Sequence, residues 1–325
     1  MPPSAEPAVL PRRTVSDAVW SKGEKRATLS TSTSSHPHDS IKMPAPLLTV
    51  IVAVFNGAAT LQQCIDSVSH QSYPNTELII IDGDSRDGTV DLLQKNDQQI
   101  SYWISEPDHG VYSAWNKGLA KAKGEWICFL GADDYFWNSK VLECVQVALE
   151  KVPSDVRLAY GQVMLVSADG KSLYPTGEPW ENFKGRFLQG LCLPHQGVMH
   201  HRSLFDQNGK FDESFRIAAD YELMLRELKT AEAIFIPDII IAAMRQGGLS
   251  SNPSNTIETM HEIRRAQKMH GLHFPSIFWL RAMVRVYLRL FLWHLIGEST
   301  TRKLLDFGRR IKGLPPYWTK ANRSE

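Results

Sequence analysis

Three apolar runs, each closed by small or acidic residues, constrain this chain more than any other feature. Residues 47–55 (LLTVIVAVF) are rich in β-branched side chains and stop at Asn56-Gly57. Residues 77–81 (ELIII) stop at Asp82-Gly83-Asp84-Ser85-Arg86-Asp87-Gly88-Thr89, and residues 125–130 (EWICFL), entered from Lys123-Gly124, stop at Gly131-Ala132-Asp133-Asp134. Runs this continuous suit central parallel strands covered on both faces. Between them, Leu61, Ile65 and Val68 recur at helical spacing, a helix of about ten residues follows the 82–89 loop, and residues 100–105 read as a further strand. Strand and helix alternating at this rhythm predict a right-handed, doubly wound, mainly parallel α/β sheet. Ligands of such sheets bind beyond the carboxyl ends of the strands, so the 82–89 loop and the Asp133-Asp134 doublet should face one crevice.

Adjacent carboxylates repel, and a strand end that carries two of them needs a cation or water to screen them. Mg²⁺ and Mn²⁺ accept such oxygen ligands, often one or two carboxylates plus the phosphates of a substrate. A solvated turn capping the next helix is the other reading of the doublet alone. No GxGxxG follows the first strand and no GxxxxGK[ST] is present, which argues against dinucleotide oxidoreductases and P-loop enzymes. Residues 106–118 (EPDHGVYSAWNKG) read as a helix entry, with Asp108 as N-cap and Gly110 leaving the backbone approachable. Tyr112 and Asn116 would share a face of that helix. Its start either merely docks on the sheet or supports a bound phosphate.

With 325 residues, 43% of them hydrophobic, the chain can bury one large core or two modest ones. A net charge of +1 gives nucleic acid no electrostatic footprint. Cys64, Cys128, Cys144 and Cys192 are too scattered for a metal site, and buried free thiols point to a reducing, cytoplasmic compartment. Residues 1–45, rich in Pro, Ser and Thr without apolar periodicity, are expected to be disordered. No 18-residue apolar stretch exists, so no ordinary membrane span is expected.

The tail is different. Residues 276–297 (SIFWLRAMVRVYLRLFLWHLIG) are intensely apolar, yet Arg281, Arg285 and Arg289 recur every four residues along one helical stripe. Each would cost about 2.5–3.5 kcal/mol at a bilayer centre, which disfavours spanning and favours the headgroup plane. Arg302, Lys303, Arg309, Arg310 and Lys312 add attraction to anionic lipid, so residues 276–312 are expected to meet a membrane surface. Packing on the core or on a partner chain is the alternative.

Four segments occur in order: residues 49–57 (TVIVAVFNG), 82–89 (DGDSRDGT), 106–134 (EPDHGVYSAWNKGLAKAKGEWICFLGADD), and Pro194-His195-Gln196 followed by Ala219-Asp220-Tyr221-Glu222. Together the chain resembles the family 2 glycosyltransferases, nucleotide-diphospho-sugar transferases of the GT-A fold, across residues 47–250. It is most similar to bacterial enzymes of exopolysaccharide, colanic-acid-type and cell-surface glycolipid assembly, which share GVY, NKG and FLGADD. The resemblance implies a GT-A domain over residues 46–250, with a nucleotide-sugar half (46–135) and a smaller, mixed acceptor half (136–250). A basic tail of amphipathic helices (251–325) follows.

Carried over residue by residue, the resemblance puts Asp133 and Asp134 on the Mg²⁺ or Mn²⁺ site, with Asp134 the more direct ligand. Asp82 and Asp84 fall in the nucleoside loop, and Ala53, Phe55, Asp108, Gly110 and Asn116 lie near the nucleotide. Asp220 becomes the general base; unaided by the resemblance it reads more readily as the cap of an amphipathic helix with Leu223, Met224 and Leu228 facing the core. His195 and Gln196 would contact acceptor or diphosphate, or serve only the structure. One departure stands out. Many relatives read Asp-Asp-Gly-Ser where this chain reads Asp82-Gly83-Asp84-Ser85, which leaves the base contact, and hence uridine, guanosine or thymidine, open. The implied activity is inverting, non-processive transfer from a nucleoside-diphosphate sugar to a saccharide or lipid-linked acceptor, in the cytoplasm or on the inner face of its membrane. A processive synthase would want Gln-x-x-Arg-Trp where the chain has Gln189-Gly190-Leu191-Cys192, and a nucleotidyltransferase would want a basic Gly-rich loop where residues 56–60 read NGAAT. The alternative is a catalytically silent nucleotide-sugar-binding subunit of a glycan assembly complex.

Overall fold

The structure is a computed structural model; it describes residues 47–167, 170–248, 255–314, 316 and 318–319, and the extension expected over residues 1–45 lies outside them. Strands β1 (Leu48–Val54), β2 (Thr76–Asp82), β3 (Tyr102–Ser105) and β4 (Trp126–Gly131) pair in parallel in the order β3-β2-β1-β4. Helices α1 (Leu61–Ser69), α2 (Thr89–Lys95) and α3 (Val111–Leu119) connect them. Helix α2 is shorter than its spacing suggests. The Asn96 side chain donates to the Leu92 carbonyl at 2.8 Å and closes the last turn, and a 3₁₀ turn over Asp97–Gln99 follows.

The apolar runs are continuous because the sheet is buried on both sides. Val50, Val52, Ile80, Cys128 and Leu130 face one core with α1, while Ile51, Ile79, Ile81, Ile127 and Phe129 face another with α3. Contact there is close: a Cβ at Gly118 of α3 would stand 2.5 Å from Ile51 Cγ2.

Beyond β4 come β5 (Tyr135–Phe136), α4 (Val141–Leu149), β6 (Leu158–Val166), β7 (Ser172–Thr176), α5 (Trp180–Leu188), β8 (Val198–His201), α6 (Arg202–Asn208), α7 (Ala219–Leu228) and β9 (Ile234–Arg245). These strands extend the same sheet, as β4-β8-β6-β9-β5 with β7 on β6, so nine strands form one surface. Pairing here is mixed: β8 is antiparallel to β4 and β6, while β9 is parallel to β6. Residues 158–166 form one strand with a register shift against β9 around Gly161, where Ile241 fills the space a side chain would need.

Three helices complete the described chain: α8 (Thr256–Met269), α9 (Ile277–Ile296) and α10 (Glu298–Ile311). Buried Ala266 and Gln267 of α8 pack against the body, the latter donating to the Leu188 carbonyl at 3.2 Å. The first helix of the expected tail is thus part of the body that carries α7.

Candidate active site

The carboxyl ends of three strands lie level, with Val54 paired to Asp82 and Ala53 paired to Gly131. Asp82 itself is fully buried. It accepts from the Ser85 amide at 3.0 Å, from the Ser85 hydroxyl, and from Ser105 Oγ at 2.6 Å, so its carboxylate shapes the loop from below. The same loop is laced to the end of β1. Ser85 Oγ accepts the Asn56 amide at 2.7 Å, Thr89 Oγ1 the Gly57 amide at 3.0 Å, and Asp87 the Ala58 amide at 3.0 Å. The Thr89 hydroxyl and that amide hold the Asp87 carboxyl below its usual range. Two non-glycine residues, Asn56 (φ 50°) and Asp84 (φ 68°), sit in the left-handed region here, strain that such tightly tied loops can hold.

Those two loops and residues 107–108 enclose a cleft of about 250 Å³ lined by Phe55, Asn56, Gly83, Asp84, Arg86, Pro107 and Asp108. Phe55 is 67% exposed and offers a bare aromatic ring. Asp84 pairs with Arg86 at 3.5 Å. Asp108 Oδ1 accepts the Gly110 amide at 2.9 Å, and its Oδ2 lies 2.8 Å from where a Cβ at Gly83 would stand. The Asp108 carboxylate thus fills the space of a side chain at position 83.

Helix α3 begins differently from expectation. Gly110, with φ 111°, is its N-cap, and Asp108 folds a turn ahead of it; no side chain caps the helix. Asn116 is buried and turned away from the cleft. Its amide donates to the Phe211 carbonyl (3.0 Å) and to Glu213 (2.8 Å) and accepts the Phe211 amide (3.1 Å), stitching α3 to the second half of the chain. Ala53, half-buried at the end of β1, packs toward the core and does not line the cleft.

Asp133 and Asp134 differ in exposure, although Asp133 Oδ1 and Asp134 Oδ2 both come within 3 Å of where a Cβ at Gly131 would stand. Asp134, expected as the more direct metal ligand, is 3% exposed and accepts from the Arg245 amide (3.0 Å), Gln196 Nε2 (2.9 Å) and the Gly131 amide (3.3 Å). Burial, reinforced by the charge of Asp133, pushes its carboxyl up to about 7. Asp133 is half-exposed, its carboxyl raised by burial against the opposing pull of Arg245. Asp133 therefore presents the accessible hard-oxygen donor, and Asp134 braces the turn beneath it. Among the described residues no group of three or more His, Cys, Asp or Glu is placed to hold a metal ion. A cation here would take one or two protein oxygens and fill its shell from phosphate and water, which suits this doublet.

The His195-Gln196 pair separates in the same way. Gln196 reaches Asp134, whereas His195 lies in an aromatic core, stacked on Phe129 at 5.4 Å and packed on Trp115 at 4.9 Å. Burial drives its imidazole well below the usual histidine range, so it stays neutral.

Asp220 opens α7, half-buried. Its carboxylate accepts the Tyr221 amide at 2.8 Å, with the Tyr112 hydroxyl at 3.2 Å and the Cys192 thiol at 3.8 Å. Burial raises it to about 6 against those three contacts. The single Tyr112 proton also has the Ile217 carbonyl at 2.5 Å, so it serves one acceptor at a time. The turn leading to Asp220 is held by Glu262 of α8, which accepts the Arg216, Ile217 and Ala218 amides at 2.7, 2.8 and 2.9 Å. Cys192 touches Asp220 and Gln196 touches Asp134, and four residues of chain span at most about 14 Å. The segment 192–196 thus links the two carboxylate sites. Cys192, Arg245 and Glu262 carry no motif signal; only the packed chain brings them to these acids.

A curled α/β sheet with acidic loops at its carboxyl edge defines a sugar transferase of the GT-A class, and the comparisons with known proteins agree. The family model described as Glycosyl transferase family 2 matches residues 49–205. A PGL/p-HBAD biosynthesis glycosyltransferase of Mycobacterium tuberculosis (strain H37Rv) is 30% identical over 229 residues, 69% of this chain and 85% of its own. An uncharacterized glycosyltransferase of the same strain is 33% identical over 249 residues, 75% of this chain and 91% of its own. Solved structures share the fold at lower identity. S. aureus TarS 1-349 in complex with UDP-GlcNAc superposes with TM-score 0.54 at 19% identity, covering 68% of this chain and 66% of that one. The mannosyltransferase PcManGT from Pyrobaculum calidifontis, in complex with GDP-Man and Mn²⁺, gives 0.53 at 17% identity over 85% and 83%. The chain belongs to glycosyltransferase family 2.

Proposed function

We propose that this glycosyltransferase is inverting and non-processive, moving a sugar from a nucleoside-diphosphate sugar to a hydroxyl of a saccharide or lipid-linked acceptor in surface polysaccharide or glycolipid assembly. The observation that carries the reading is Asp220, a carboxylate raised to about 6, held across residues 192–196 from the Asp133-Asp134 doublet. The nucleoside occupies the Phe55–Asp84–Asp108 cleft, its base against the Phe55 ring and its polar edge toward the two acids. The diphosphate runs from there toward the uncapped start of α3 at Gly110, whose amides favour an anion.

Asp133, with Asp134 behind it, would hold Mg²⁺ or Mn²⁺, and such an ion supplies charge neutralisation for the departing diphosphate. Departure builds oxocarbenium character at the anomeric carbon. Asp220 then accepts the proton of the attacking hydroxyl, and an elevated pKa brings that base closer to the working pH. One base and no protein nucleophile means a single displacement with inversion. A lipid-linked acceptor would be met on the inner face of the cytoplasmic membrane, with residues 276–312 as the part of the chain suited to that surface.

The test is transfer from a panel of nucleotide sugars with Mn²⁺ or Mg²⁺, reading the anomeric configuration of the product. An inverted product that disappears in Asp220→Asn supports the reading, and a retained configuration sinks it. Donor binding without turnover across the panel would instead favour a silent binding subunit.

A further inference from the structure

Helices α9 and α10 present two unlike faces. Trp279, Met283 and Val286 of α9 pack on Met260 of α8, and the Trp279 indole donates to the Met260 carbonyl at 3.0 Å. The opposite side is bare: Ile277, Leu280, Val284, Leu288, Phe291 and Leu295 are all more than 40% exposed. At 100° per residue these six lie within one narrow arc and form an apolar strip along a helix about 30 Å long. Helix α10 repeats the pattern with exposed Leu304, Phe307 and Ile311. Of the sixteen strongly exposed large hydrophobic side chains among the described residues, twelve fall between Ile277 and Leu314. An exposed apolar concentration of this kind marks an interaction surface.

Charge decides what covers it. Arg281 and Arg285 flank the strip on α9, and Lys303 and Arg310 are exposed on α10. The expected third arginine is not among them. Each four-residue step advances about 40° around a helix, which carries Arg289 past the edge and into the interior, over the Trp318 ring at 4.7 Å. The two acids of these helices are committed: Glu298 pairs with Arg302 at 2.6 Å, and buried Asp306 accepts the Trp318 and Thr319 amides. The face is therefore apolar with a cationic border and no free carboxylate. A second copy meeting it across a two-fold axis would set cation against cation. No helix among the described residues is long and apolar enough to cross a membrane.

We propose that the outer faces of α9 and α10 are a docking surface for an anionic lipid bilayer. Helix α9 lies in the headgroup plane, the Ile277–Leu295 strip enters the acyl boundary, and Arg281, Arg285, Lys303 and Arg310 meet lipid phosphates. None of these side chains belongs to the Asp220 site or lines the donor cleft, so their test does not depend on the transfer reaction.

The experiment is co-sedimentation of the full chain with vesicles of phosphatidylcholine alone and of phosphatidylcholine mixed with phosphatidylglycerol, at low and high salt. Binding to the mixed vesicles, weakened by salt, is expected, with roughly fivefold lost for each of the four cations replaced. Phe291→Ser with Phe307→Ser should weaken binding even with all four cations in place. Both side chains are exposed, so unfolding midpoints should hold, and nucleoside-diphosphate binding serves as a second check that the body is intact. Equal binding to both vesicle types, or unchanged binding by Arg281→Glu/Arg285→Glu/Lys303→Glu/Arg310→Glu, overturns the proposal. So does a stable dimer by light scattering that Phe291→Ser/Phe307→Ser dissociates.

Discussion

At the donor rim, Asp82, Ser85, Asp87 and Thr89 bond one another and the end of β1, in a net of several backbone amides and hydroxyls. Asp220 owes its surroundings to fewer side chains, Cys192 and Tyr112, the latter 108 residues away. The rim is secured by many small contacts that each replace a water. The pocket of Asp220 instead concentrates a desolvated charge among three donors. Losing one rim contact should therefore cost little, while altering the charge at Asp220 should change chemistry and stability together.

Asp220→Asn should give the largest break between the two regions. Turnover is expected to fall by about two to four orders of magnitude, with nucleoside-diphosphate affinity unchanged. Stability should move the other way. The folded carboxyl is raised to about 6 from 3.8, so ionised Asp220 costs nothing below pH 4, the cost grows as pH rises through 6, and it is fully present above. The variant should then melt higher than the parent at pH 8 and alike at pH 4, which thermal scans at the two values check.

Asp133→Asn should cost at least roughly tenfold in Mn²⁺-dependent binding of a nucleoside diphosphate, measured by calorimetry with and without the ion. Parental ion dependence in this variant would return the direct role to Asp134. Next in size, Glu262→Ala removes the acceptor of three backbone amides and should destabilise by about 2–3 kcal/mol in urea unfolding. Its donor affinity should hold while turnover falls, because only the Asp220 side is loosened.

Gly83→Ala brings a methyl group to 2.8 Å from Asp108 Oδ2, an overpacking worth about 1 kcal/mol, or a few-fold in donor affinity. Asp108→Ala in the same chain should relieve the packing cost, read as the unfolding midpoint, without restoring donor affinity. The finest test is the pH profile of the parent, where activity should decline below about 6 as Asp220 takes up its proton. A profile flat from 5 to 8 would detach the chemistry from this carboxylate.

Several parts of this picture were legible before any fold was seen. The runs 47–55, 77–81 and 125–130 became β1, β2 and β4 because a sheet covered on both faces leaves no polar alternation to blur the signal. Their acidic ends met at one rim for the same topological reason. Asp108 precedes the cap expected of it, Asn116 ties α3 to the loop at Phe211, and His195 takes the structural one of its two readings. A motif fixes where along the chain a side chain sits, whereas its rotamer depends on which distant groups stand within 3 Å.

The sequence by itself determined the alternation of strands and helices, the family, the acidic strand ends and the apolar, basic character of the tail, since each of these is written in residues close together along the chain. Only the tertiary structure decided that Asp134 is buried while Asp133 keeps some exposure, that Tyr112, Cys192 and Glu262 assemble around Asp220, and that Arg289 is buried while Arg281 and Arg285 are not. Those outcomes depend on desolvation and on hydrogen bonds between segments far apart in sequence, which come into being when the helices close onto the sheet.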